Sequence, residues 1–96
     1  RADLTIGISY NSDIKKAKQI ILEILNNHPM ILKDPEPMVL VKDLAESSIN
    51  LAVRPWSEID NFFIMRSDVL EQIKNTFDNN DIEIPFPQRD IHIKQK

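Results

Sequence analysis

Apolar residues alternate with small or polar ones from Leu4 through Tyr10 (Leu-Thr-Ile-Gly-Ile-Ser-Tyr), the two-residue period of a strand with one buried face. The expected inward set is Leu4, Ile6, Ile8 and Tyr10. Asn11 and Ser12 carry side chains able to cap a helix start, and Asp13 suits the positive end of the helix dipole. Ile14, Ala17, Ile21, Ile24 and Leu25 then recur at helical spacing, which predicts a first helix to about Asn27, stopped by His28-Pro29. Met38 to Val41 and Ile49 to Val53 read as strands. On the second, Ile49, Leu51 and Val53 share one face and Asn50, Ala52 and Arg54 the other. Only Asp43 to Ser48 separates the two, so a hairpin is expected. From about Asp60 a long helix places Phe62, Met65, Val69, Ile73 and Phe77 on one stripe with Leu70 beside it. It ends near Asn79-Asn80-Asp81, residue types that tolerate the left-handed conformation of a helix exit. Ile82 to Ile84 is expected as a brief fourth strand.

Strand, helix, strand, strand, helix, strand is the order of an α+β, ferredoxin-like βαββαβ sandwich: a four-stranded sheet, two parallel strands at its centre, both helices on one face. Residues 1–84 form that domain in this reading. Residues 85–96 form a proline-rich spacer, Pro85-Phe86-Pro87-Gln88, followed by an alternating stretch, Asp90-Ile91-His92-Ile93-Lys94, with no strand left to pair with in the same chain.

Composition narrows the function classes. A chain of 96 residues with 42% hydrophobic content supports one core. Twelve basic against fifteen acidic residues, net charge -3, leave no electrostatic footprint for nucleic acid or an anionic membrane surface. Without cysteine there is no disulfide framework and no thiolate metal site. The longest apolar runs, Met38 to Val41 and Phe62 to Met65, are four residues long, far short of the roughly 20 of a membrane helix. The chain opens on Arg1 without an initiator methionine, so a piece of a longer protein is expected.

No residue set reads as catalytic, and neither a cofactor nor a metal is expected. His28 and His92 lie in different elements with no second ligand at metal spacing; a helix-end and an exposed strand histidine explain them. Asp34 and Glu36 flank Pro35 in a turn, where carboxylates are solvated rather than shifted for acid-base work. Gly7 is the only glycine, so no glycine-rich loop can cradle a phosphate, and Ser47-Ser48 has no histidine to activate it. The expected open sheet face, Thr5, Gly7, Ser9, Asn50, Ala52 and Arg54, lacks the aromatics that stack RNA bases on such sheets. Asn50 and Arg54 invite an acyl-phosphate hydrolase reading, which the missing anion loop disfavours. Trp56, the sole tryptophan, follows Pro55 and is expected, with Arg54, as a structural anchor at the domain edge or an interface.

Ile31 to Trp56, "ILKDPEPMVLVKDLAESSINLAVRPW", resembles the carboxy-terminal cytoplasmic region of the small-conductance mechanosensitive ion channel family. In that family a Ser-Ser-Ile-Asn stretch leads into an apolar strand ending in Val-Arg and then Trp. Asp68-Val69-Leu70, Ile73-Lys74 and Phe77 are similar to its second helix, "IEIPFPQRDI" to its terminal proline-aromatic-proline-glutamine signature, and "IGISYNSDI" to its first strand and helix start. Leu44-Ala45-Glu46 and Asp81 stand where members often carry glycine, and Ser67 where an aromatic is frequent.

The resemblance implies a homo-oligomer, a heptamer in the full-length protein, set in the inner membrane, opening under bilayer tension to release ions and osmolytes in hypo-osmotic shock. The domain in hand would be its cage wall on the cytoplasmic side, touching membrane only through segments outside this chain, and not an enzyme. The implied oligomer interface is Pro85, Phe86, Pro87, Gln88, Ile91 and Ile93, with one terminal strand per subunit joining a small parallel intersubunit β-barrel. The prolines fix φ and remove amide donors, leading the chain away from its own sheet. The alternative is a free-standing ferredoxin-like module that binds a small molecule and regulates at a dimer interface.

Overall fold

Alternation in the first strand decides what is buried: β1 (Leu4–Ile8) turns Leu4, Ile6 and Ile8 inward and leaves Thr5 exposed in the computed structural model, which describes residues 1–86. Tyr10 departs from the expected pattern. The strand ends at Ile8 and the chain turns, with Ser12 N–H donating to the Ser9 carbonyl at 2.9 Å, so the two-residue period does not reach Tyr10. Its ring is half exposed and its hydroxyl donates to the Ala45 carbonyl, bracing a distant loop.

Asp13, rather than Asn11 or Ser12, caps α1 (Ile14–Asn27); its carboxylate accepts the Lys16 amide at 3.2 Å, satisfying one donor the helix cannot pair internally. Ala17, Ile21 and Leu25 form the buried stripe. The hairpin is β2 (Met38–Leu44) and β3 (Ile49–Arg54), closed by Ala45 N–H on the Ser48 carbonyl at 2.8 Å. Val39 faces Val53, Leu40 faces Ala52 and Val41 faces Leu51; the register then shifts, so that Asp43 faces Asn50 and Lys42 is the extra residue of a bulge.

Sheet order is β1-β3-β2, and both pairings are antiparallel. The two strands expected to run parallel at the centre therefore do not. Helix α1 carries the chain across to β2 in the direction of β1, and β3, the return limb of the hairpin, fills the gap between them in the opposite sense. A 3₁₀ turn (Ile59–Asn61) leads into α2 (Phe62–Asn79), whose Met65, Val69, Ile73 and Phe77 are fully buried. Both helices pack on the face carrying Leu4, Ile6, Ile8, Leu51 and Val53, and one core results.

The exit of α2 is a Schellman turn. Asp81 takes φ 59°, Ile82 N–H reaches back to the Phe77 carbonyl at 3.0 Å, and both side chains lie in the core. The fourth strand expected at Ile82 to Ile84 does not form: among the described residues the sheet has three strands. The segment meets β1's end through the bond from Ser9 N–H to the Glu83 carbonyl at 2.9 Å. Pro85 follows at once and has no amide to extend a ladder.

Candidate assembly surfaces

The open face of the sheet carries a chain of polar bonds centred on Asn50. Ser48 Oγ donates to Asn50 Oδ1 at 2.7 Å, and Asn50 Nδ2 donates to Asp43 Oδ1 at 3.0 Å. Gly7 faces Asn50 in the ladder, and a Cβ there would lie 3.2 Å from both Asn50 Oδ1 and Ser48 Oγ, so the lone glycine makes room for this network. Beside it Lys42 Nζ donates to Thr5 Oγ1 at 3.3 Å across β3. These groups answer one another and leave no converging set aimed at a substrate.

The other polar cluster lies at the far end of β3. Asp3 Oδ1 lies 3.0 Å from Arg1 Nε and 3.5 Å from Arg54 Nε, and its Oδ2 accepts from Arg1 Nη2 at 3.4 Å, while the Arg1 guanidinium rests 5.7 Å from the centroid of the half-buried Trp56. Pro55 and Trp56 tie two segments to the sheet by their carbonyls, which accept from Ala2 at 3.0 Å and Leu32 at 2.8 Å. Asn50 and Arg54, four residues apart on one strand, stand roughly 13 Å apart, and each is committed to a different carboxylate. The hydrolase pairing is not assembled.

His28 does more than end a helix. It is buried, its Nδ1 accepts the Met30 amide at 3.1 Å, and its Nε2 lies 2.6 Å from Asp68 Oδ2. With Nδ1 accepting, the ring proton belongs on Nε2 and is donated to Asp68, which also accepts from Gln72 at 3.2 Å. This latch joins the end of α1 to the middle of α2. Sequence reading missed it because the partners are 40 residues apart and neither has a local signature. Among the described residues no three His, Cys, Asp or Glu side chains cluster as metal ligands, and no helix is long and apolar enough to cross a membrane.

What the surface does offer is unpaired apolar area. Along β2 only Val39 is buried; Met38, Leu40, Val41 and Leu44 are exposed. Ile59, Phe63 and Ile64 project from the start of α2, Ile59 at 91% and Phe63 at 81% exposure. Of the residues implied as an oligomer interface, Pro85 is half-buried and Phe86 exposed, while Pro87, Gln88, Ile91 and Ile93 lie outside the described residues.

Comparison with known proteins bears on these surfaces. Residues 2–84 match the family described as "Mechanosensitive ion channel MscS, C-terminal". The chain is 43% identical over 89 residues to an uncharacterized MscS family protein of Archaeoglobus fulgidus, covering 93% of this chain and 31% of that one. It is 36% identical over 97 residues to the small-conductance mechanosensitive channel of Helicobacter pylori, covering 100% of this chain and 35% of the relative. It thus spans about a third of the length of these relatives. The fold is similar to the crystal structure of Helicobacter pylori MscS in its closed state, with a TM-score of 0.85 and 34% identity over 99% of this chain and 38% of that chain.

Proposed function

The chain belongs to the MscS family of mechanosensitive ion channels, and on that basis we propose that it is the cytoplasmic cage wall of a channel that opens under membrane tension and releases ions and osmolytes in hypo-osmotic shock. The observation that carries this reading is the fold's likeness, over nearly the whole chain and at 34% identity, to a closed-state MscS crystal structure. Two features support it. The polar groups of the sheet are satisfied by one another rather than held ready for chemistry, and the unpaired area is apolar, as an assembly surface requires.

In this proposal the pore and tension-sensing helices belong to the remaining two-thirds of the relatives' length, the full protein is a homoheptamer of the inner membrane, and nucleic acid has no part. Arg54 and Trp56 anchor the domain edge by binding the 1–3 and 31–32 segments. Pro85 to Gln88 act as a stiff spacer, and the strand carrying Ile91 and Ile93 extends beyond the domain and joins its symmetry mates in a parallel β-barrel on the ring axis. A lone strand must find partners for its amides and carbonyls somewhere.

The test is native mass spectrometry of the full-length protein in detergent. Seven subunits are expected, and deletion after Pro87 should lower the fraction assembled while each subunit stays folded. A two-subunit particle that binds a small metabolite would replace this reading with that of a regulatory module.

A further inference from the structure

We propose that the acidic, apolar start of α2 in one copy docks onto the β2 edge and outer flank of α1 in a second copy, head to tail. The inference rests on the oligomeric reading above and names the surfaces that meet. On the first surface, Ile59, Phe63 and Ile64 stand exposed within six residues, and Phe63 is braced edge-on by Phe62 at 5.4 Å between ring centroids. A side chain already held in place loses little rotamer freedom on docking. Asp68 and Glu71 line a depression with Phe63 and Ile64, and Glu58 and Asp60 are exposed in the turn that leads into the helix, against a single Arg66.

The second surface is apolar along β2 and lysine-bearing along α1. Leu40, Val41 and Leu44 are exposed along β2, the last strand of the sheet, whose outer edge has no neighbour among the described residues. Helix α1 lies against β2. Its Lys16 faces α2, donating to the Asn80 carbonyl at 3.0 Å; at about 100° per residue Leu22, Lys15 and Lys18 fall on the other side of the buried stripe, away from α2. There Ile14, Lys15, Lys18 and Leu22 line a shallow depression in which the lysines outnumber Glu23.

Charge then selects the geometry. Two copies meeting through the same acidic patch would oppose like charges, which disfavours a two-fold contact. Acidic patch against lysine-bearing flank is attractive, and a contact between different surfaces repeats into a ring or a filament rather than stopping at a pair. The apolar area on offer is on the order of several hundred Å², below the ~1,200 Å² of a stable two-protein interface. The contact is therefore a weak one that gains its strength when the rest of each subunit holds the domains side by side.

Cysteine pairs in the otherwise cysteine-free domain test this in the full-length protein, in membranes. Phe63→Cys is combined in turn with Leu40→Cys, Val41→Cys and Leu44→Cys, all at exposed positions, and mild oxidation is followed by denaturing electrophoresis. At least one pair should give a ladder of dimers, trimers and larger species, with Phe63→Cys alone remaining monomeric. An oligomer intact by native mass spectrometry that gives no ladder with any pair overturns the docking and leaves the channel reading standing; dimers from Phe63→Cys alone overturn it in favour of a two-fold contact. A cross-link only to cysteines placed in the upstream part of the same subunit overturns it by naming a different occupant. Absence of any oligomer overturns both readings together.

Discussion

β2 and β3 are the two limbs of one hairpin, similar in apolar content, and they meet opposite fates. β3 lies between two strands and buries Ile49, Leu51, Ala52 and Val53; β2, one place further out, buries Val39 alone. Leu51 is 0% exposed and Val41, its ladder partner on β2, 42%, although either reads as a core residue from its neighbours in sequence. Position in the sheet, not hydrophobicity, decides which is folding and which is left over for something else. An edge strand this apolar is a liability in an isolated domain, and its persistence is what an assembly surface leads one to expect.

The sharpest way to break the comparison is to truncate one leucine from each limb. Leu51→Ala should cost about 2 to 5 kcal/mol of stability, the range for a buried leucine with its cavity, measured by denaturant unfolding of the domain. Gly7→Ala comes next: the added methyl meets Asn50 and Ser48 at 3.2 Å, and about 1 to 2 kcal/mol should be lost as the chain of polar bonds on the open face shifts. The smallest effect belongs to Leu40→Ala, within about 0.5 to 1 kcal/mol of wild type because much of the side chain is already in water. If Leu40→Ala proved as damaging as Leu51→Ala, β2 would be structural in its own right and the contrast between the limbs would fail.

Much of this fold is written locally. The alternation from Leu4 to Ile8, the stripe from Met65 to Phe77 and the hairpin between Val41 and Ile49 each follow from a periodicity a few residues long, and so does the left-handed exit, where Asp81 serves at a position that glycine often fills. What was not legible depends on which elements become neighbours. Tyr10 continues the alternation but lies past the strand's end. Ile82 to Ile84 has strand composition but is cut short by Pro85. His28 finds Asp68, and Asn50 finds Asp43 and Ser48, only once the chain has closed. The exposed apolar flanks follow the same logic, since no window of sequence says which strand will stand at the edge. The family resemblance, by contrast, was carried by short motifs, Ser-Ser-Ile-Asn and Ile-x-Ile-Pro-Phe-Pro-Gln among them, and needed no tertiary information.

The role proposed for this domain is to serve a channel gated by membrane tension. The most direct test is to reconstitute the full-length protein in liposomes and record from excised patches under a controlled pressure ramp. The account predicts current steps that appear as tension rises, before the patch ruptures, and vanish on release. Assembled, correctly folded protein that stays silent up to rupture would contradict it.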